Sequence, residues 1–123
     1  MSPALLTPAW IEALDAAARG VAGDDGERFV IQQVVTEGAE DVTWHVVLAP
    51  SGVRVHPGVA EGADVTFRQD RATAEAIAAG ELAAATALAS GRLTVRGATA
   101  ELTRHREVLA RLDQAWAGIG NDA

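Results

Sequence analysis

DVTFRQDRATAEAIAAGELAAATALASGRLTVRG, residues 64–97, is the stretch on which the fold turns. Asp64 to Arg68 alternates, with Val65 and Phe67 pointing together, as a strand with one apolar face requires. Asp70 then supplies an N-cap for a helix that ends before Gly80 and turns Ala76 and Ile77 inward, with Glu75 in its body. A second short helix is expected from about Glu81 to Ala89, stopped by Ser90-Gly91. From Arg92 to Arg96 the alternation returns, with Leu93 and Val95 on one side. The period therefore switches from strand to helix and back within a single short stretch.

Upstream, Thr7 caps a first helix, Pro8 occupies its first turn and Gly20 follows its end. Trp10, Ile11, Leu14, Ala17 and Ala18 form its apolar stripe, and Glu12, Asp15 and Arg19 are expected to face outward. After an acidic turn from Gly23 to Glu27 the composition changes to β-branched. Strands are expected over Phe29 to Thr36, Val42 to Ala49 and Val53 to His56, separated by Glu37-Gly38-Ala39-Glu40 and Pro50-Ser51-Gly52. Val42, Trp44, Val46 and Leu48 share one face of the second, while His45 lies on its polar face. Downstream, one long helix is expected from about Thr99 to Trp116, with Leu102, His105, Leu109, Leu112, Trp116 and Ile119 in a buried stripe. With one apolar face per strand, all helices should cover a single side of the sheet. The chain reads as one α+β domain over residues 1–123, with residues 120–123 expected to be disordered.

Composition removes whole classes of chemistry. The chain has no Cys, no Lys and no Tyr, so thiolate metal sites, lysine Schiff bases and phenolic acids are excluded. A formal net charge of −7 argues against nucleic acid and anionic membrane surfaces as partners. No apolar run reaches the ~18 residues of a membrane span, and no signal segment opens the chain, so a cytoplasmic location and no stable membrane insertion are expected. The Ala-, Arg- and Gly-rich, Lys-free usage fits a GC-rich bacterial gene.

Three local wordings carry a family resemblance: "ADVTF" with the Asp70 cap, "AGEL" at Ala79 to Leu82, and "ASGRLTVRG" at Ala89 to Gly97, leading into a closing helix. In this order and spacing they resemble the sterol carrier protein 2 family of lipid-binding domains, over Phe29 to Trp116. The resemblance implies a five-stranded mixed, mainly antiparallel sheet with helices over one face and an apolar cavity between them. It further implies a ligand that is a fatty acyl chain, an acyl-CoA ester, a sterol or an isoprenoid- or polyketide-like molecule. The chain ends on Asn121-Asp122-Ala123, without the peroxisomal ending of some members.

The two Ala-rich helices between Asp70 and Gly91 carry few large side chains, so they either approach the sheet closely or leave a volume beneath them. In the family context the second outcome is expected. Phe29, Ile31, Trp44, Val46, Phe67, Ile77, Leu82, Leu88, Leu93, Leu109, Leu112 and Trp116 are the expected apolar lining. Gln33 and His105 interrupt apolar faces; each is either a satisfied core group or a contact for a ligand headgroup.

No catalytic centre is legible. His45, His56 and His105 lack metal-ligand spacing, Ser51 and Ser90 sit in turns, and the acid pairs Asp24-Asp25 and Glu40-Asp41 are explained by turn formation. Gly91 to Gly97 spans a strand and carries no phosphate-loop lysine. No metal and no cofactor are expected, and the leading expectation is non-catalytic binding of a hydrophobic small molecule. The alternatives are a small cyclase or isomerase with His105 as its acid or base, and an accessory module docking an enzyme partner. A homodimer is left open.

Overall fold

The computed structural model describes residues 5–21, 23, 28–116 and 119. The expected loose tail at residues 120–123 and most of the acidic turn lie outside them. The elements run α1 Pro8–Ala18, β1 Phe29–Glu37, β2 Glu40–Ala49, β3 Gly52–Pro57, β4 Val65–Asp70, α2 Arg71–Ala78, α3 Ala84–Ala89 and β5 Leu93–Gly97. A 3-10 helix over Thr99–His105 then leads into α4, Arg106–Trp116.

The strands form one sheet in the order β3-β2-β1-β4-β5. β1 and β4 are parallel, and the other three pairings are antiparallel. The fold is thus the expected mixed, mainly antiparallel sheet with helices. Asp64 secures the parallel junction: its carboxylate accepts from the Val30 N–H at 2.7 Å, its own N–H donates to the Val30 carbonyl, and its carbonyl accepts from Ala98.

β1 departs from the one-apolar-face rule. It lies at the centre of the sheet and is buried on both sides, with Val30, Gln32 and Val34 filling the back. The Gln32 carboxamide satisfies itself there, donating to the Trp44 carbonyl at 2.9 Å and accepting from the Ala60 N–H at 2.7 Å. It therefore clamps the β3–β4 connection over the back of β1. Gln32→Leu keeps the volume but leaves backbone groups unpaired, so it should cost about 2 kcal/mol. Hydrogen exchange at the Ala60 amide should accelerate; an amide as protected as in the unaltered protein would contradict this role.

α1 begins as expected, the Thr7 hydroxyl accepting from the Trp10 N–H. Asp15 corrects the sequence reading, which placed it outward: it is buried. Its carboxylate accepts from the Val55 N–H at 2.8 Å, from Arg54 Nε at 2.9 Å and from Arg19 Nη2 at 2.7 Å. Edge strand β3 presents an unpaired N–H, and Asp15 covers it, a contact that helix periodicity does not encode. Two indoles fasten α1 further. Trp116 Nε1 donates to the Leu14 carbonyl at 2.9 Å, and Trp10 meets Trp44 edge-on with ring centroids 5.0 Å apart.

The second helix of the Ala-rich stretch starts later than expected, at Ala84 rather than Glu81. Gly80, at φ 76°, closes α2 in a Schellman arrangement. Its N–H donates to Ile77 and that of Glu81 to Ala76, so Glu81 to Ala83 serve the end of α2 instead of starting α3. The shift also turns α3: Ala87 is buried and Leu88 is 49% exposed, which corrects its expected inward position.

The closing helix is divided. Residues 99–105 form a 3-10 helix, whose tighter winding changes the phase of the stripe before α4 begins. In α4 the buried apolar residues are Val108 and Leu112, and Leu109 and Trp116 are half-buried. Val108 was not in the expected stripe. Among the described residues, no helix is long and apolar enough to cross a membrane.

Candidate functional site

Alternation along the strands and the observed register decide which side chains meet beneath the helices. Gln33 is opposite Trp44 on one side and Phe67 on the other, and Ile31 is opposite Val46. Phe67 pairs with Val95, and Gln69 with Leu93. Ile31, Gln33, Trp44, Val46, Phe67, Gln69 and Leu93 thereby form one continuous sheet face.

Above this face lies a cavity of about 740 Å³. α1 contributes Trp10 and Leu14, preceded by Leu5 and Leu6. α2 contributes Ala74, Ile77 and Ala78, and the connection to α3 adds Leu82 together with Ala79, Gly80, Ala83 and Ala84. α4 contributes Leu109, Asp113 and Trp116, with Ile119 beyond it. The small side chains of α2 and its connection hold the helix at the cavity's edge without filling it. Exposed Ala79, Gly80, Ala83 and Ala84 form the rim.

Ten of the expected lining residues meet here: Ile31, Gln33, Trp44, Val46, Phe67, Ile77, Leu82, Leu93, Leu109 and Trp116. Four do not. Phe29 and His105 stack on one another with ring centroids 4.5 Å apart, and both are buried outside the cavity wall. Leu112 is fully buried in the core, and Leu88 faces away. His105 therefore stands apart from the space in which an acid–base role was considered for it.

Sequence reading missed Trp10, Leu14, Gln69 and Asp113. Gln69 continues the alternation of Val65 and Phe67, so its direction was legible. Asp113 lies four residues after Leu109 and three before Trp116, and helical spacing places it on the same face. Its charge made it look like the solvent side. Asp113 is itself exposed at the cavity's edge, and partial desolvation by the groups around it raises its carboxyl from the ordinary value.

Polar atoms are few in the wall. The side-chain oxygens Gln33 Oε1 and Gln69 Oε1 are buried with no hydrogen-bond partner among the described residues. No Arg or His lines the cavity among those residues, and Asp113 is its single ionisable group. A smaller cleft of about 440 Å³ contains Arg104, Arg106 and Arg111 with Thr103 and Glu107. There Arg104 pairs with Glu101, which lies outside the cleft's lining, at 2.7 Å, and Arg111 approaches Glu107 at 3.9 Å. Among the described residues, no group of three or more His, Cys, Asp or Glu side chains could hold a metal ion.

Comparison with known proteins gives one family. The model described as the SCP-2 sterol transfer family matches residues 12–110. No curated protein sequence matches the chain. Among solved structures, a conserved hypothetical protein of Thermus thermophilus, described as possibly a sterol carrier protein, is similar at 21% identity with a TM-score of 0.71. That similarity covers 96% of this chain and 93% of that one. Sterol carrier protein 2 like 2 of Aedes aegypti is 26% identical with a TM-score of 0.58, over 77% of this chain and 91% of its own. A solution structure of the same mosquito protein in palmitated form matches at 23% identity and a TM-score of 0.66, over 90% and 95%.

Proposed function

This chain belongs to the SCP-2 sterol transfer family, and on that premise we propose that it is a non-catalytic binding protein for a hydrophobic small molecule held between the sheet and the helices. The observation that carries the reading is the cavity of about 740 Å³ walled by Ile31, Trp44, Val46, Phe67, Leu93 and Leu109. Its size falls within the ~300–1,000 Å³ of ordinary small-molecule sites, and an apolar wall with few polar groups is what an apolar ligand needs. Each methylene buried would contribute ~0.8 kcal/mol, so the length of the apolar body dominates affinity. A palmitated relative in Aedes aegypti supports a chain-like ligand. The fatty-acyl, acyl-CoA, sterol and isoprenoid- or polyketide-like classes all supply such a body.

Two measurements test the reading. Native mass spectrometry of gently purified protein should show a retained small molecule of lipid mass. Nile red, an uncharged apolar dye, should bind with a blue-shifted emission and be displaced by apolar competitors at micromolar concentration. Protein with neither a retained molecule nor displaceable dye would refute the proposal.

A further inference from the structure

Resting on that reading, we infer that the cavity selects an apolar molecule whose head donates hydrogen bonds, a hydroxyl or an ammonium, and disfavours a carboxylate. The polar atoms of the wall set this preference. Gln33 and Gln69 belong to the neighbouring strands β1 and β4 and face the cavity two register positions apart. Both present an unpartnered, buried carbonyl oxygen. A buried acceptor without a donor is costly, and a ligand that brings the donor recovers that cost on binding. From the opposite side α4 brings Asp113, flanked on the same face by Leu109 and Trp116.

The two side-chain oxygens and the ionised Asp113 carboxylate share one chemistry: all accept. An alcohol donates to any of them, and a primary ammonium can donate to more than one while opposing the Asp113 charge. A carboxylate leaves both Gln oxygens unpaired, and it brings a like charge into a wall that offers the neutral Gln amide N–H groups but no cation among the described residues.

The test is competition against Nile red at pH 8 with a matched series: decanol, decylamine and decanoate. Decanol and decylamine should each displace the dye at least tenfold more effectively than decanoate. The order between the two shows whether hydroxyl or ammonium is the better donor here. Asp113→Asn should narrow the gap to within about threefold by improving decanoate. The double variant Gln33→Leu, Gln69→Leu should weaken decanol about tenfold while Nile red still binds, which reports that the cavity has survived the changes. Decanoate equal to or better than decanol in the unaltered protein would overturn the inference, as would an unchanged ratio in Asp113→Asn. Decanol binding unaffected by the Gln substitutions would do the same. If no member of the series displaces the dye, the binding-protein reading itself fails, a different outcome from a reversed preference.

Discussion

Ala74→Phe is expected to weaken Nile red binding by a factor of tens while leaving the fold as stable as before. Ala74 is half-buried on α2 and lines the cavity, so a larger side chain there grows into space that is not already packed. A ring in that space displaces ligand roughly equivalent to three methylenes, ~2.4 kcal/mol or about 50-fold in Kd. The thermal midpoint separates this outcome from ordinary overpacking, which costs about 1–3 kcal/mol when a methylene is forced into a filled core. A midpoint within about 2 °C of the unaltered protein, together with lost binding, is the expected pair. A large fall in the midpoint would mean that α2 packs closely on the sheet and that the Ala-rich stretch is a filled interface. Unchanged binding would place the ligand elsewhere.

Asp15→Ala should be the most damaging single substitution for stability proposed for this chain. It removes the acceptor of the buried Val55 N–H and the shared partner of Arg54 and Arg19 in one step. Leaving a buried backbone donor unpaired costs most of the total, and the half-exposed arginine pairs add less, together about 3 kcal/mol. For a chain of this size that corresponds to a fall of about 10 °C in Tm. Asp15→Asn keeps an acceptor for Val55 but loses the charge, and should recover part of the loss. Equal midpoints for Ala and Asn would assign the whole effect to the arginines.

The same carboxylate makes stability pH-dependent. The Arg54 hydrogen bonds, aided by the Val55 N–H and Arg19, hold Asp15 well below the usual carboxylate range. Its native pKa is lowered, so between that value and the ordinary one the unfolded chain binds more protons than the native one, and stability rises with pH. The contribution is complete above the ordinary carboxylate pKa and is lost as pH falls below it toward the native value. Urea midpoints measured from pH 6 downward should therefore decline less steeply in Asp15→Asn than in the unaltered chain. Parallel declines would remove Asp15 from the account.

Much of this was legible in residues 64–97. Alternation at Val65 and Phe67, the Asp70 cap and the return of alternation at Leu93 and Val95 are local signals, and β4, α2 and β5 appear where they point. The Asp70 carboxylate indeed accepts from the Thr73 N–H at 2.8 Å. The start of α3 was less legible, because Ala has no preference between opening one helix and closing another. Gly80 settles it through its positive φ and the two backbone bonds that end α2.

By itself the sequence determined the order of strands and helices and the apolar face of β2, β4 and β5, because these depend on periodicity, caps and turn residues within a few positions. Tertiary structure decided what faces what. It buried Asp15 against an edge strand, covered both sides of β1, and stacked His105 on Phe29 away from the cavity. It also brought Gln33, Gln69 and Asp113 to the walls of one space. Such contacts join residues far apart in the chain, and their energies come from burial and unmet hydrogen bonds that exist only once the layers pack.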